Sequence, residues 1–290
     1  MKQILVISGK GGTGKTVISG CLAVFLDNKV IVDADVDAAN LYLLLHPKIK
    51  EVHQFIGGKL AEIDKEKCSQ CGNCREICKF SAISNDFEIN PLFCEGCTIC
   101  SYFCPESAII LKDRISGEYF ISETKYGPLV HARLGIAQEN SGKLVTKLRE
   151  LAKNMAEENK DFIIIDGPPG VGCPVMASMT GVDLIIAVTE PTLSGIHDLE
   201  RILELAHHFK IPVKVIINKF DLNSQMSLQI EKSLKERKIE VIGKIPFSEE
   251  IVDSVKRQIP FLEYAKTYNK GLEVAENIEK IFHNALSSIF

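Results

Sequence analysis

Read from its amino terminus, the chain alternates short, apolar, β-rich runs with segments in which apolar residues recur at every third or fourth position. The runs Ile4 to Ile7, Val30 to Val32, Phe162 to Ile165, Leu184 to Val188, Val213 to Ile217 and Val241 to Ile245 have the length and β-branched content of strands. The three-and-four spacing predicts helices over Thr16 to Leu26, Lys143 to Glu158, Ile196 to Phe209, Leu228 to Lys238 and Asn269 to Leu286. Strand and helix in this rhythm make an α/β parallel sheet. Because Ile163, Ile164 and Ile165 are apolar in succession rather than alternately, both sheet faces are expected to be buried under helices.

The rhythm breaks between about Leu60 and Lys112, where cysteines, turn residues and short segments take over. This stretch is an internal duplication with a period of 26 residues: Cys68, Cys71, Cys74, Cys78, Ser81, Ala82 and Ile83 recur as Cys94, Cys97, Cys100, Cys104, Ser107, Ala108 and Ile109. The run Gly117 to Leu134, rich in aromatic and β-branched residues around Gly127 and Pro128, reads as a hairpin returning to the first domain. The expected division is 1–59 and 113–290 for one interrupted domain, with 60–112 inserted in it.

Gly9 to Thr16 reads GKGGTGKT, the G-x-x-x-x-G-K-[ST] phosphate loop, placed between a strand and a helix. Gly11, Gly12, Thr13 and Gly14 let backbone N–H groups wrap the phosphates, Lys15 reaches the outer phosphates, and the Thr16 hydroxyl is set for Mg²⁺. The run DADVDAAN after the second strand presents Asp33, Asp35, Asp37 and Asn40 at the carboxyl edge of the sheet, where open α/β folds bind ligands; Asp37 and Asn40 also read as helix caps. FIIID ends at Asp166 and runs into GPPG, and VIINKFDLN places Asn218 directly after a strand.

With its second lysine, Lys10, the loop KGGTGKT resembles that of the septum-site-positioning, chromosome-partition and iron–sulfur-carrier ATPases. The resemblance implies that Lys10 touches the nucleotide of a partner subunit in a homodimer with nucleotide at the interface. It also implies that Asp35 orients or deprotonates the attacking water, that Asp33 and Asp166 stand with Thr16 about the Mg²⁺, and that Asn218 reads the base. Gly167 and Gly170 would then be hinges of a switch loop. NKFD also fits a guanine-reading pattern in which Asp221 accepts from the base; the resemblance favours ATP.

In the duplication, C-x₂-C-x₂-C-x₃-C occurs twice, the spacing of bacterial ferredoxins with two 4Fe-4S clusters, in which the fourth cysteine of each run ligates the other cluster. One cluster is thereby assigned Cys68, Cys71, Cys74 and Cys104, and the other Cys94, Cys97, Cys100 and Cys78. The second run ends in Cys104-Pro105 but the first in Cys78-Lys79. Structural zinc sites pair two C-x₂-C knuckles instead. Cys21 reads as a small core residue, and Cys173, in PPGVGCP, as a buried structural thiol or, on the second reading, a nucleotide-gated thiol. His197, His207 and His208 are assigned no chemistry, and Ile278, Ile281, Phe282 and Ile289 of the last helix are read as packing.

The 34 basic and 38 acidic residues, net −4, supply no general pull toward nucleic acid, and no apolar run reaches the length of a bilayer span. The amino terminus lacks a signal-peptide pattern. A cytoplasmic setting is expected, which keeps thiols reduced and gives the ten cysteines work other than disulfides. Over its whole length, with ENSGKLV (Glu139 to Val145) and TEPTLSG (Thr189 to Gly195), the chain resembles septum-site-type ATPases with an inserted ferredoxin domain. The expected fold is a Rossmann-like P-loop NTPase, mostly parallel, carrying a bacterial-type ferredoxin insert. The expected function is ATP hydrolysis coupled to electron transfer with a redox or cluster-accepting protein, with no membrane anchor; the alternatives are a cluster-delivery carrier and a positioning ATPase that carries clusters as a redox sensor.

Overall fold

The computed structural model describes residues 1–135, 141–157 and 160–287. The amino-terminal half contains β1 (Lys2–Ile7), α1 (Lys15–Phe25), β2 (Lys29–Asp33), α2 (Leu41–Leu45), β3 (Lys48–Ile63), α3 (Asn73–Ile77), α4 (Ile99–Tyr102), β4 (Ile109–Thr124) and β5 (Gly127–Leu134). Then follow α5 (Ser141–Glu157), β6 (Phe162–Asp166), α6 (Cys173–Met179), β7 (Leu184–Thr189), α7 (Leu193–His208), β8 (Val213–Asn218), α8 (Ser224–Glu236), β9 (Glu240–Ile245), α9 (Glu249–Lys256), α10 (Phe261–Tyr268) and α11 (Leu272–Leu286). The chain divides into two compact units, Met1–Val52 with Tyr119–Arg133 and Ser141–Phe290, and His53–Glu118 with Leu134–Asn140.

In the first unit strands run in the order β5-β2-β6-β1-β7-β8-β9, each neighbouring pair parallel. Ile4 lies between Ile164 and Leu184, and Ile31 between Leu129 and Ile164, so the central strands pack apolar residues against apolar residues with almost no exposure. The end of β4 turns into β5 at Lys125 and Tyr126, where the Thr124 hydroxyl donates to the Gly127 carbonyl at 2.7 Å. Leu22 of α1, Phe261, Leu262 and Tyr264 of α10 and Ile278, Ile281 and Phe282 of α11 share one buried cluster with Ile4 and Ile164, and Cys21 is buried within it.

Several elements differ from the periodicity. β3 is a 16-residue strand whose exposed, charged first half gives no apolar run. The helix expected from Asn269 begins at Leu272, because Asn269 (φ 54°) and Gly271 (φ 66°) are left-handed and end one helix before the next begins. α2, α6, α9 and α10 are too short for a repeating stripe. Glu139, Asn140, Glu158 and Ile289 lie outside the described residues.

In the second unit the duplication is structural. α3 and α4 start at matched positions after Gly72 (φ 87°) and Thr98 (φ 71°). Cys68 and Cys94 donate backbone N–H bonds to Asp64 and Asn90, both at 3.0 Å. Ala61, Cys74, Ala82, Ile83, Cys94 and Ile109 form its small core.

Candidate functional site

β1, β2, β6 and β8 deliver their carboxyl ends to the phosphate loop, which leads into α1. Gly14 has φ 94°, and a Cβ there would lie 2.4 Å from Asn218 Nδ2, so glycine is required both for conformation and for space. Asn218 Nδ2 in turn donates to the Thr13 carbonyl at 2.7 Å and ties the end of β8 to the loop. Thr13 Oγ1 is buried with no hydrogen-bond partner among the described residues, an orphaned group in the wall of a phosphate loop.

Beneath the loop is a buried charge cluster. Lys15 Nζ lies 2.9 Å from Asp166 Oδ1 and 3.8 Å from Asp35 Oδ2. Asp166 also accepts from Thr16 Oγ1 at 3.0 Å and Ser19 Oγ at 2.7 Å. Burial works against the Lys15 charge, but Asp166, with Asp33 and Asp35 beyond, holds its ammonium above the ordinary range. Burial first, then the nearby Asp166 charge, pushes the Asp33 carboxyl up to about 8. Asp35 is raised for the same two reasons, with Lys15 opposing. Asp33 accepts from the backbone N–H of Asp35 at 3.2 Å and of Leu41 at 3.1 Å, so it shapes the turn after β2 and starts α2. Asn40 occupies the N-cap position of α2 without capping it through its side chain.

Lys10 Nζ is held within its own chain, 2.7 Å from Glu190 Oε1, and donates to Thr192 Oγ1 at 3.0 Å and Ser194 Oγ at 2.9 Å. Lys219 Nζ reaches the other Glu190 oxygen at 3.0 Å and the Gly12 carbonyl at 3.0 Å. Asp221 is exposed and accepts from the Phe247 backbone N–H at 2.7 Å.

In the second unit the eight cysteines of the duplication gather as two quartets. Cys68, Cys71, Cys74 and Cys104 line one cavity; Cys78, Cys94, Cys97 and Cys100 line another, of about 190 Å³, together with Phe80 and Ile99. The Cys74 thiol is pushed up by burial and then by Cys68, Cys71 and Cys104; the Cys100 thiol by burial and then by Cys94, Cys97 and Cys78. Each fourth cysteine receives a backbone donor, Ala82 N–H to Cys78 Sγ at 3.4 Å and Ala108 N–H to Cys104 Sγ at 3.3 Å. Among the described residues no three His, Cys, Asp or Glu side chains converge on a point where one ion could sit. Four thiols spaced around a cavity with N–H donors to sulfur fit a polynuclear centre, whose ligands stand farther apart than those of a tetrahedral ion.

Residues 4–261 match the family model described as the CobQ/CobB/MinD/ParA nucleotide binding domain. The chain belongs to this family of nucleotide-binding P-loop proteins. An uncharacterized protein of Methanocaldococcus jannaschii, MJ0578, is 39% identical over 226 residues, 77% of this chain and 79% of its own. The septum site-determining protein MinD of Thermotoga maritima is 25% identical over 288 residues, 96% of this chain and 85% of its own. The structure of Pyrococcus horikoshii MinD complexed with Mg-ADP superposes with a TM-score of 0.59 at 18% identity, covering 97% of this chain and 93% of that one, a likeness of fold. Among the described residues no helix is long and apolar enough to cross a membrane.

For this MinD/ParA-family chain, sequence reasoning overlooked Ser19, Glu190 and Lys219. Ser19 is hidden in an apolar helix, although its spacing of three from Thr16 puts both hydroxyls on the side of α1 that meets Asp166. Glu190 lies in the quoted TEPTLSG run, yet nothing local marks it as the carboxylate shared by two lysines. Cys173 corrects a favoured reading: it is exposed rather than buried, because it opens α6 from a turn instead of packing under it.

Proposed function

We propose that the chain is an ATP-hydrolysing iron–sulfur protein in which nucleotide state is coupled to electron transfer through two 4Fe-4S clusters held in the inserted ferredoxin region, about residues 60–112. The observation that carries the cluster reading is the sorting of eight cysteines into two separate quartets, each containing three cysteines of one run and the fourth of the other. The clusters would supply one-electron chemistry; Cys68, Cys71, Cys74 and Cys104 would hold one, and Cys78, Cys94, Cys97 and Cys100 the other.

In the ATPase region, family membership and the orphaned Thr13 hydroxyl support nucleotide on the loop Gly11–Thr16. Lys15 would exchange its contact with Asp166 for the outer phosphates, which frees Asp166 and Thr16 to hold Mg²⁺, with Asp33 behind them. Asp35, close to Lys15 and of raised pKa, suits the base that orients or deprotonates water. Asn218 would fix the loop and face the base. In a homodimer, Lys10 would leave Glu190 for the partner's nucleotide and supply charge in trans. A positioning ATPase is the second reading, favoured by the MinD relatives, and the exposed Cys173 favours a cluster-delivery variant.

The test is anaerobic reconstitution followed by iron, sulfide and ATPase assays. About eight irons and eight sulfides per chain are expected, falling to about four in Cys71→Ser or Cys97→Ser, with ATP hydrolysis lost in Lys15→Ala. Zinc retained with no sulfide would sink the cluster assignment, and unchanged hydrolysis in Lys15→Ala the ATPase assignment.

A further inference from the structure

The two halves of the second unit make the same backbone twice, so each cysteine quartet serves as a control for the other. The potential of a cysteine-held cluster is set by cluster type, N–H bonds to sulfur, solvent exposure and nearby net charge. The first three are matched. Both quartets are four cysteines, and in each the fourth cysteine of a run accepts the backbone N–H of the alanine four residues on, at 3.4 Å for Cys78 and 3.3 Å for Cys104. Each quartet also has one buried, one exposed and two half-buried members.

Charge is not matched. The two residues after the fourth cysteine line the cavity in both halves, Lys79 and Phe80 beside Cys78, and Pro105 and Glu106 beside Cys104. Ser69, in the wall of the cavity with Cys68, is answered 26 residues on by Glu95, in the wall of the cavity with Cys94. Glu95 offsets Lys79, but Arg114 Nη1 donates to the Cys94 carbonyl at 2.9 Å and brings a second cation to that quartet. Two cations and one carboxylate therefore stand at the quartet of Cys78, Cys94, Cys97 and Cys100, and one carboxylate, Glu106, lines the cavity of the other. Neighbouring charges do not reverse this difference. Lys67 is paired with Asp64 at 3.2 Å and Lys59 with Asp113 at 2.5 Å, while Arg75 and Glu76, adjacent in α3 and opposite in sign, line neither cavity. A cluster that takes up an electron becomes more negative, so a nearby cation favours its reduced form and a nearby carboxylate opposes it. Lys79 and Glu106 are exposed, and water screens them, so each moves the equilibrium only a few-fold.

We propose that Lys79 and Glu106 order the two quartets in potential, so that a single electron in the second unit rests at Cys78, Cys94, Cys97 and Cys100 rather than at Cys68, Cys71, Cys74 and Cys104. In the internal transfer the Cys68 side is oxidised by one electron and the Cys78 side reduced by one, with no bond made or broken and no proton moved. The order originates in the one step at which the two runs differ, Cys78-Lys79 against Cys104-Pro105-Glu106. The proposal rests on the cluster reading, and the test separates the failure of one from the failure of the other.

The test uses the full-length, anaerobically reconstituted protein, reduced stepwise with dithionite and followed by electron paramagnetic resonance against potential. The wild type is compared with Lys79→Gln, Lys79→Glu and Glu106→Gln, all at exposed positions, and about eight irons per chain should remain in each. Two midpoints are expected in the wild type. Lys79→Gln should lower the higher one by about threefold in its reduction equilibrium, about 28 mV for one electron, and Lys79→Glu by about tenfold, about 59 mV. Glu106→Gln should raise the lower midpoint by about threefold and leave the higher nearly in place. All of these shifts should shrink as salt is added. A single shared midpoint in the wild type would overturn the proposal, as would a Lys79 or Glu106 substitution that leaves its own midpoint unmoved or shifts the other one instead. Loss of iron from Lys79→Gln would make that residue one that holds a cluster rather than one that tunes it, and would overturn the proposal as well. Each of these results leaves the cluster reading standing, whereas no iron–sulfur signal in the reconstituted wild type would remove both.

Discussion

Asp166 is the residue on which the nucleotide site turns, since Lys15, Thr16 and Ser19 all meet it in a buried setting. Removing one partner of a buried pair costs about 3–5 kcal/mol. Asp166→Asn leaves the Lys15 ammonium without its nearest counter-charge and should lower stability by about that amount in urea unfolding, with the Asp33 carboxyl moving down because one of the two causes that raise it is gone; ATP hydrolysis should disappear. A second residue-scale prediction concerns His131, which is buried, stacks on Phe120 with ring centroids 4.9 Å apart and bonds Ser122 at 3.1 Å. Burial lowers its pKa from 6.5 to about 4. The folded state therefore disfavours the proton: the stability contribution is complete above about 6.5 and is lost as pH falls toward 4, on the order of 3 kcal/mol in all. His131→Gln should flatten that limb of a stability–pH curve, and an unchanged limb would refute the assignment. Lys15, Thr16 and Asp166 could be read from sequence because phosphate loops and strand-end aspartates have local signatures. The Glu190 bridge could not, because it joins three segments distant in sequence.

The runs of β1, β2, β6 and β7 were legible because two-sided burial leaves no polar position inside them, whereas β8 and the edge strand β9 were legible from their β-branched residues despite Lys214 and Lys244. The long β3 was not: one exposed flank and the pair Gly57-Gly58 mimic a turn. Short helices such as α10 carry Phe261, Leu262, Tyr264 and Ala265 into the core in a single turn or two, too little sequence for a period to register. The duplication, by contrast, was visible residue by residue because its cysteines and the Ser-Ala-Ile that follows them recur at identical offsets, whatever the local hydropathy. Its turns have their own requirement at Gly96, where φ is 60° and a Cβ would lie 2.1 Å from the Lys59 carbonyl oxygen. Gly96→Ala must therefore shift the loop carrying Cys94 and Cys97. The expected result is loss of about half the bound iron with ATP hydrolysis retained, measured by iron analysis and phosphate release; full iron content would show that the loop does not position those thiols.

At the scale of the molecule, the chain leaves its first unit within β3 and returns to it within β4, so a nucleotide-binding unit contains a cysteine-rich one in its sequence. The nucleotide-binding unit was legible from its phosphate loop. The second compact unit runs from His53 up to Glu118, taking in flanking strand residues that the sequence placed in the first domain because their pattern carries no break at those points. Coupling requires that nucleotide interact differently with two states of the chain, and a potential that moves with nucleotide is its direct signature. The measurement is electron paramagnetic resonance of the reduced, reconstituted protein, titrated by potential without nucleotide, with ADP and with a non-hydrolysable ATP analogue. The account predicts two interacting 4Fe-4S signals whose midpoint potentials shift between the ADP and ATP-analogue states, whereas two signals with the same potentials in all three states would contradict it.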